Sequence, residues 1–271
     1  MRSQICFTSY TRLLLRCSMA AILVCFCLPI SSQASSFKVH PLRFDFSDDT
    51  RTAVFKLNNT TDHDVTVQLS TASWTQDAFG KDIYDPTADI VFFPRIMKIA
   101  RGEERIVRIG YKGQPEVDRE KTYRLFAQEL PQRGQKEGTL NFAFRFSVPV
   151  FVPPQRKQKA VEKLMKTELD NGQLKVWMQN TGGQHYSVKR LDARGVDTAT
   201  KITFTRDTGG WYVLAKSQRS FVITLDEATC KQSSYVEVEI DLGRRKLVSR
   251  TPVDATQCIA VKEKPGQVAV Q

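Results

Sequence analysis

The chain has 271 residues, of which 41% are hydrophobic and 25% charged, and its formal net charge is +11. A balance this positive is compatible with nucleic acid, acidic lipid or acidic protein as a partner. The basic residues are spread along the chain instead of forming runs, and no low-complexity tract or short-period repeat is present.

Residues 1–34 have the form of an export signal. Arg2, Arg12 and Arg16 make a basic start, the apolar stretch Met19-Ala-Ala-Ile-Leu-Val-Cys-Phe-Cys-Leu-Pro-Ile30 follows, and Ser32-Gln33-Ala34 has small residues where a signal peptidase reads. The stretch is too short for a membrane span, and no span is expected in the mature chain. Val24 and Phe26 are too bulky to precede a lipidated Cys25 or Cys27. Cleavage removes three arginines, lowering +11 to +8, and takes away Cys6, Cys17, Cys25 and Cys27. Export argues against a nucleic-acid partner. Cys230 and Cys258 remain, and two cysteines in an exported chain are expected to pair. That bridge closes a loop of about 28 residues and contributes about 3 kcal/mol; two free buried thiols are the alternative.

About 237 residues are left, enough for two domains of sandwich size. The cut falls at Val152-Pro153-Pro154, before the polar stretch Gln155-Arg-Lys-Gln-Lys159, because a proline pair ends a strand and stiffens a linker. The predicted organisation is a signal at 1–34, a first domain at 35–153 and a second at 154–271. Strands are predicted in the first domain at 37–46, 52–59, 65–74, 90–93, 105–111, 122–130 and 139–152. In the second they are predicted at 174–179, 185–192, 211–215, 220–225, 235–242 and 246–251. A brief helical turn is predicted at 161–166, and 262–271 reads as a loose tail. Seven or so strands per domain with no convincing helix gives an all-β fold of two immunoglobulin-like sandwiches.

Two strands carry more information than the rest. In 37–46, Phe37 and Val39 share one parity while Leu42, Phe44 and Phe46 share the other, with the slip at His40-Pro41. A strand whose apolar face flips at a proline suits a segment passing from one sheet to the other, and a cis peptide before Pro41 is compatible with that corner. In Leu140-Asn-Phe-Ala-Phe-Arg-Phe-Ser-Val-Pro-Val150, every second residue is large and apolar. As a core strand this is ordinary. At a sheet edge it is an aggregation hazard, unless the protein uses it to hold another chain.

Together these features resemble the periplasmic chaperones of bacterial chaperone–usher pili, over essentially the whole mature chain. The resemblance rests on Val39-His-Pro-Leu-Arg43, Val54-Phe-Lys-Leu-Asn-Asn59, Asp118-Arg-Glu-Lys-Thr-Tyr123, Glu129-Leu-Pro131 and the alternating strand up to Pro153. In the second domain it rests on Leu174-Lys-Val-Trp-Met-Gln-Asn180 and Tyr186-Ser-Val-Lys189. The resemblance implies a boomerang arrangement of the two domains and a periplasmic protein that binds pilus or fimbrial subunits. Such chaperones lend an incomplete subunit their own strand and deliver it to an outer-membrane usher. Leu140, Phe142, Phe144 and Phe146 are then the donor side chains, worth roughly 6–12 kcal/mol gross before ordering costs. The exposed edge also gives the free protein a route to self-association.

The resemblance further implies that two cations hold the subunit's C-terminal carboxylate. Arg43 matches the first. The lysine position aligns with Pro149, and Arg95 is the preferred substitute, ahead of Arg145 and Arg124. Glu120 matches the acidic half of an interdomain salt bridge whose arginine position aligns with Pro153, so other contacts are expected to hold the domains. The segment between Pro131 and Gly138 resembles that of chaperones with a short loop before the donor strand.

No cofactor is expected and no catalysis: His40, His63 and His185 lie in unrelated contexts, and no G-x-S-x-G, H-E-x-x-H, P-loop or redox CxxC occurs. Two other readings are a structural or adhesive cell-surface protein of two immunoglobulin-like domains and a secreted carbohydrate-binding module. The first lacks a visible sorting motif. The second would need Trp74, Trp177, Trp211 or Tyr186 to leave the core.

Overall fold

The computed structural model describes residues 37–259 except 48, 132–142 and 157, so the expected export signal and the expected donor positions Leu140 and Phe142 lie outside the described residues. The remainder forms two all-β sandwiches, each with its own hydrophobic core.

In the first sandwich, one sheet has the order β1 (Phe37–His40), β3 (Thr52–Asn59), β8 (Glu104–Tyr111), β6 (Ile90–Phe93). The other has the order β2 (Phe44–Asp45), β10 (Arg145–Val152), β9 (Lys121–Leu130), β4 (Val65–Gln76), β5 (Asp82–Pro86), with β7 (Ile96–Ile99) also on β4. The alternation in the sequence builds this layering. On β3, Phe55 and Leu57 are fully buried while Val54 and Lys56 face out; on β4, Val65, Val67 and Leu69 line the same core. The first strand changes sheets at a cis His40–Pro41 bond, as its phase break predicts: β1 pairs with β3, whereas β2 pairs in parallel with β10. Leu42 does not follow Phe44 and Phe46 inward. It sits on the corner, 68% exposed.

The second sandwich sets β11 (Glu162–Asp170), β12 (Gln173–Asn180) and β17 (Gln218–Thr224) against a sheet ordered β15 (Ile202–Gly209), β14 (Arg190–Val196), β18 (Tyr235–Asp241), β19 (Lys246–Pro252). A two-stranded piece, β13 (Tyr186–Ser187) with β16 (Tyr212–Val213), lies beside them. Cys230 on the short helix α1 (Glu227–Lys231) and Cys258 on a single 3-10 turn are joined by a disulfide, with both sulfurs buried. Buried asparagines fix one turn in each sandwich. The Asn59 side chain donates to the His63 and Ile99 carbonyls, and the Asn180 side chain donates to those of Gln184 and Val213.

Several expectations change. Residues 161–166 contain good helix formers, yet they enter β11, paired with β12 from Glu162↔Asn180 and bulged between Leu164 and Lys166. Helix propensity is a weak local preference, and a ladder partner outweighs it. The strand expected at 185–192 divides into β13 and β14, and 211–215 shortens to β16. Strands β5, β7 and β15 carry no legible signal: β7 is four residues long, and β5 and β15 are mostly exposed edge strands without apolar alternation. A helix forms where none is expected, because the Asp226 side chain accepts from the Thr229 backbone N–H and caps it.

Candidate functional site

The site is built from β10 and its neighbours. On one side β10 pairs with β9 along its whole length, from Arg145↔Gln128 to Val152↔Lys121. On the other it pairs only with β2, at Val150↔Phe44 and Phe151↔Asp45. From Arg145 to Pro149 the outer edge has no strand partner among the described residues.

Phe144 O accepts from Glu129 N at 2.9 Å, so 144, 146, 148 and 150 turn their backbone groups toward β9. Arg145, Ser147, Pro149 and Phe151 therefore turn theirs outward, and the Phe151 carbonyl accepts from Phe46 N at 2.9 Å. Pro149 sits where its missing N–H falls on the open side, the place a sheet tolerates proline. The apolar set splits by depth. Val148 and Val150 are core; Phe146 is partly buried, edge-on to Phe37 at 4.9 Å, and Phe144 packs partly against the same core.

The face of this sheet turned away from the core meets the second sandwich. Residues 122–127 of β9 are buried on both faces, where a one-sided sheet would alternate. Phe151, Trp74, Leu214 and Tyr212 make an apolar cluster that spans the two sandwiches. Glu120, nearly buried, accepts from His185 Nδ1 at 2.6 Å and from His185 N at 3.0 Å, and Glu120 N donates to the Gly183 carbonyl at 2.8 Å. The His185 ring stacks on Phe151 at 3.8 Å. A histidine thus partners Glu120, where the resemblance implied an arginine at the Pro153 position.

The β4–β5 hairpin completes the junction. Gln76 donates to Tyr212 O at 2.9 Å and accepts from Leu214 N at 3.0 Å. Asp82 accepts from Trp211 Nε1 at 2.8 Å and pairs with Arg219 at 3.1 Å. Gly80 has a φ of +85°, and a Cβ there would come within 2.5 Å of the Arg219 backbone, so only glycine fits.

The cations divide sharply. Arg43, just before β2, lies 4.3 Å over the Phe151 ring and binds Asp45 through Nε (2.7 Å to Oδ2) and NH2 (2.5 Å to Oδ1). Those hydrogen bonds raise its pKa above the ordinary arginine value. Arg124 stands on β9 directly opposite Pro149, facing the second sandwich. It is 2% exposed, with its guanidinium 3.7 Å over Trp74, 5.2 Å from the Trp211 ring and 5.8 Å from the Tyr212 ring. NH1 reaches the Ser147 carbonyl at 3.4 Å, while Nε and NH2 have no hydrogen-bond partner among the described residues. Burial lowers its pKa from the ordinary value, and an arginine stays charged nonetheless. Arg145 covers the Phe126 ring at 4.0 Å.

Arg95 is elsewhere. It is exposed at the corner between β6 and β7, its carbonyl accepting from Leu69 N at 2.8 Å. Leu69 lies about 17 Å along β4 from Trp74, five residues at about 3.4 Å each, and the structure does not bring Arg95 to Arg43. Sequence reasoning did not place His185, Trp211 or Asp45 at the junction, and it ranked Arg124 below Arg95. The pairing of Arg124 with Pro149 follows only from the β9–β10 register.

Residues 36–158 match the family described as pili and flagellar-assembly chaperone, PapD N-terminal domain. Among solved structures, a chain of the CsuC–CsuE chaperone–tip adhesion subunit pre-assembly complex, from the archaic chaperone-usher Csu pili of Acinetobacter baumannii, is 21% identical with a TM-score of 0.55, and the match covers 80% of this chain and 98% of that one. A chain of the complex of Salmonella enterica SafA pilin with the SafB chaperone is 16% identical with a TM-score of 0.50, covering 82% of this chain and 99% of that one. At these identities the likeness is one of fold. No curated protein matches the sequence. The first sandwich thus matches the N-terminal domain of pili and flagellar-assembly chaperones, and the chain as a whole shares the fold of solved chaperones of this kind.

Proposed function

We propose that this chaperone works in the periplasm, holds a pilus or fimbrial subunit by lending it the strand at 140–150, and hands the subunit to an outer-membrane usher. The observation that carries the reading is the open edge of β10. Backbone groups of Arg145 and Ser147 point outward without a strand partner among the described residues, next to an apolar set that includes Phe144 and Phe146. An added strand would bond to those groups, and Leu140, Phe142, Phe144 and Phe146 would enter the subunit's groove. No step of this scheme needs catalysis or a cofactor. The domain limits go with it: export signal 1–34, chaperone domain 35–153, second domain 154–271.

The subunit's terminal carboxylate is read by the cleft. Arg43 is the accessible cation there, and Arg124 replaces Arg95 as its companion. It lies across from Pro149, on the face turned to the second sandwich, with Nε and NH2 unpartnered among the described residues. An arginine can grip a carboxylate with two parallel hydrogen bonds.

The test is recovery of tagged mature protein from the native periplasm, with mass spectrometry of its companions. A small subunit at equal amount, lost with Phe144→Asp and with Arg43→Glu, is the expected result. Retention of the partner by both variants would end the donor-strand reading.

A further inference from the structure

Arg43 does not present a bare guanidinium to a carboxylate, because it already holds one on its Nε–NH2 side. The Asp45 side chain, two residues on along the same edge strand, takes the Nε–NH2 side of the guanidinium at 2.7 and 2.5 Å, with a third contact of 3.0 Å from Nε to Oδ1. One flat face of the guanidinium is spent on the Phe151 ring. Both members of the pair are solvent-accessible, at 40% and 58% side-chain exposure, so the pair contributes little to folding. It also lies at the mouth of the interdomain junction, with Phe151 shared between Arg43 and His185.

We propose that Asp45 is a resident competitor for the client's terminal carboxylate, and that it makes anchoring at Arg43 reversible. The inference rests on the reading of Arg43 as an anchor. An incoming carboxylate has two routes. It displaces Asp45 from the Nε–NH2 side, at the cost of the internal pair, or it binds the remaining NH1 side and sits beside a like charge. Both routes weaken the contact. Departure is eased for the same reason: when the client leaves, Asp45 returns and no bare guanidinium is left behind. The charge of Asp45 therefore sets how firmly the terminus is held, and Arg43 supplies the grip.

The experiment titrates 15N-labelled mature protein with N-acetylglycine, a minimal C-terminal carboxylate, and with N-acetylglycinamide as the uncharged control. The Arg43 Nε–H resonance, identified by its loss in Arg43→Gln, reports binding. In wild type it shifts with N-acetylglycine and not with the amide. In Asp45→Asn, and again in Asp45→Ser, the midpoint falls by about two- to five-fold, the worth of an exposed ion pair. An unchanged midpoint in both variants overturns the competitor role and leaves Arg43 as an anchor. No response to N-acetylglycine in any of the proteins, or an equal response to the amide, overturns the anchor itself and the competitor with it.

Discussion

The two sandwiches treat their sheet edges in opposite ways. In the second, the outer strand β11 carries Lys163, Lys166 and Glu168, and β15 carries Arg206 and Asp207. Charges on an edge discourage a foreign strand. In the first, the open end of β10 carries the partly buried Phe144 and Phe146 at alternate positions, with Arg145 folded down onto Phe126. The second sandwich closes its own structure, with a disulfide beneath its terminal turn. The first leaves one edge of β10 without a strand partner among the described residues. The proposed function uses the edge where the usual protection of an edge strand is not seen.

Erasing that difference should have the largest effect. Phe144→Asp gives β10 the edge chemistry of β11, and a carboxylate forced into an apolar groove costs on the order of 5 kcal/mol. The complex with a subunit should be lost in a pull-down while the free protein keeps its circular dichroism. Next is Arg124→Met. The side chain is buried with unspent donors, so stability to urea should stay within about 1 kcal/mol of wild type, while the subunit complex weakens by about 2–5 kcal/mol. Unimpaired binding would make Arg124 purely structural.

Removing the bridge with Cys230→Ser should lower the stability of the second sandwich by about 2–5 kcal/mol. Hydrogen exchange should then rise on β14, β18 and β19 and stay unchanged at β9 and β10. His185→Ala leaves the nearly buried Glu120 without its side-chain partner, a loss of about 1.5–3 kcal/mol. Small-angle scattering should show a broader spread of interdomain distances, with the open edge unaffected. The smallest effect is the two- to five-fold change expected at Asp45.

The legible part of this protein follows from chemistry that repeats within a few residues. Alternation on β3 and β4 wrote the sheets into the sequence, because side chains on a strand change face at every residue. The parity slip at His40-Pro41 marked the change of sheet. The expectation of export, with two cysteines left after it, marked the disulfide, and the donor reading of 140–146 comes from the family resemblance, not from spacing. β5 and β15 were not readable, since an exposed edge strand needs no apolar pattern. The turn expected at 161–166 failed because a ladder partner outweighs a run of helix formers.

The cleft was decided only by tertiary structure. Nothing local links Glu120 to His185, 65 residues later, or sets Arg124 across from Pro149. Those neighbours are fixed by strand register and by the way one sandwich leans on the other, and a sequence states neither. Sequence determined the alternating strand that ends at Val152, because alternation depends on side chains two apart. Folding determined which cations stand beside it and what holds them, because charges act through space and the chain brings them together from distant positions.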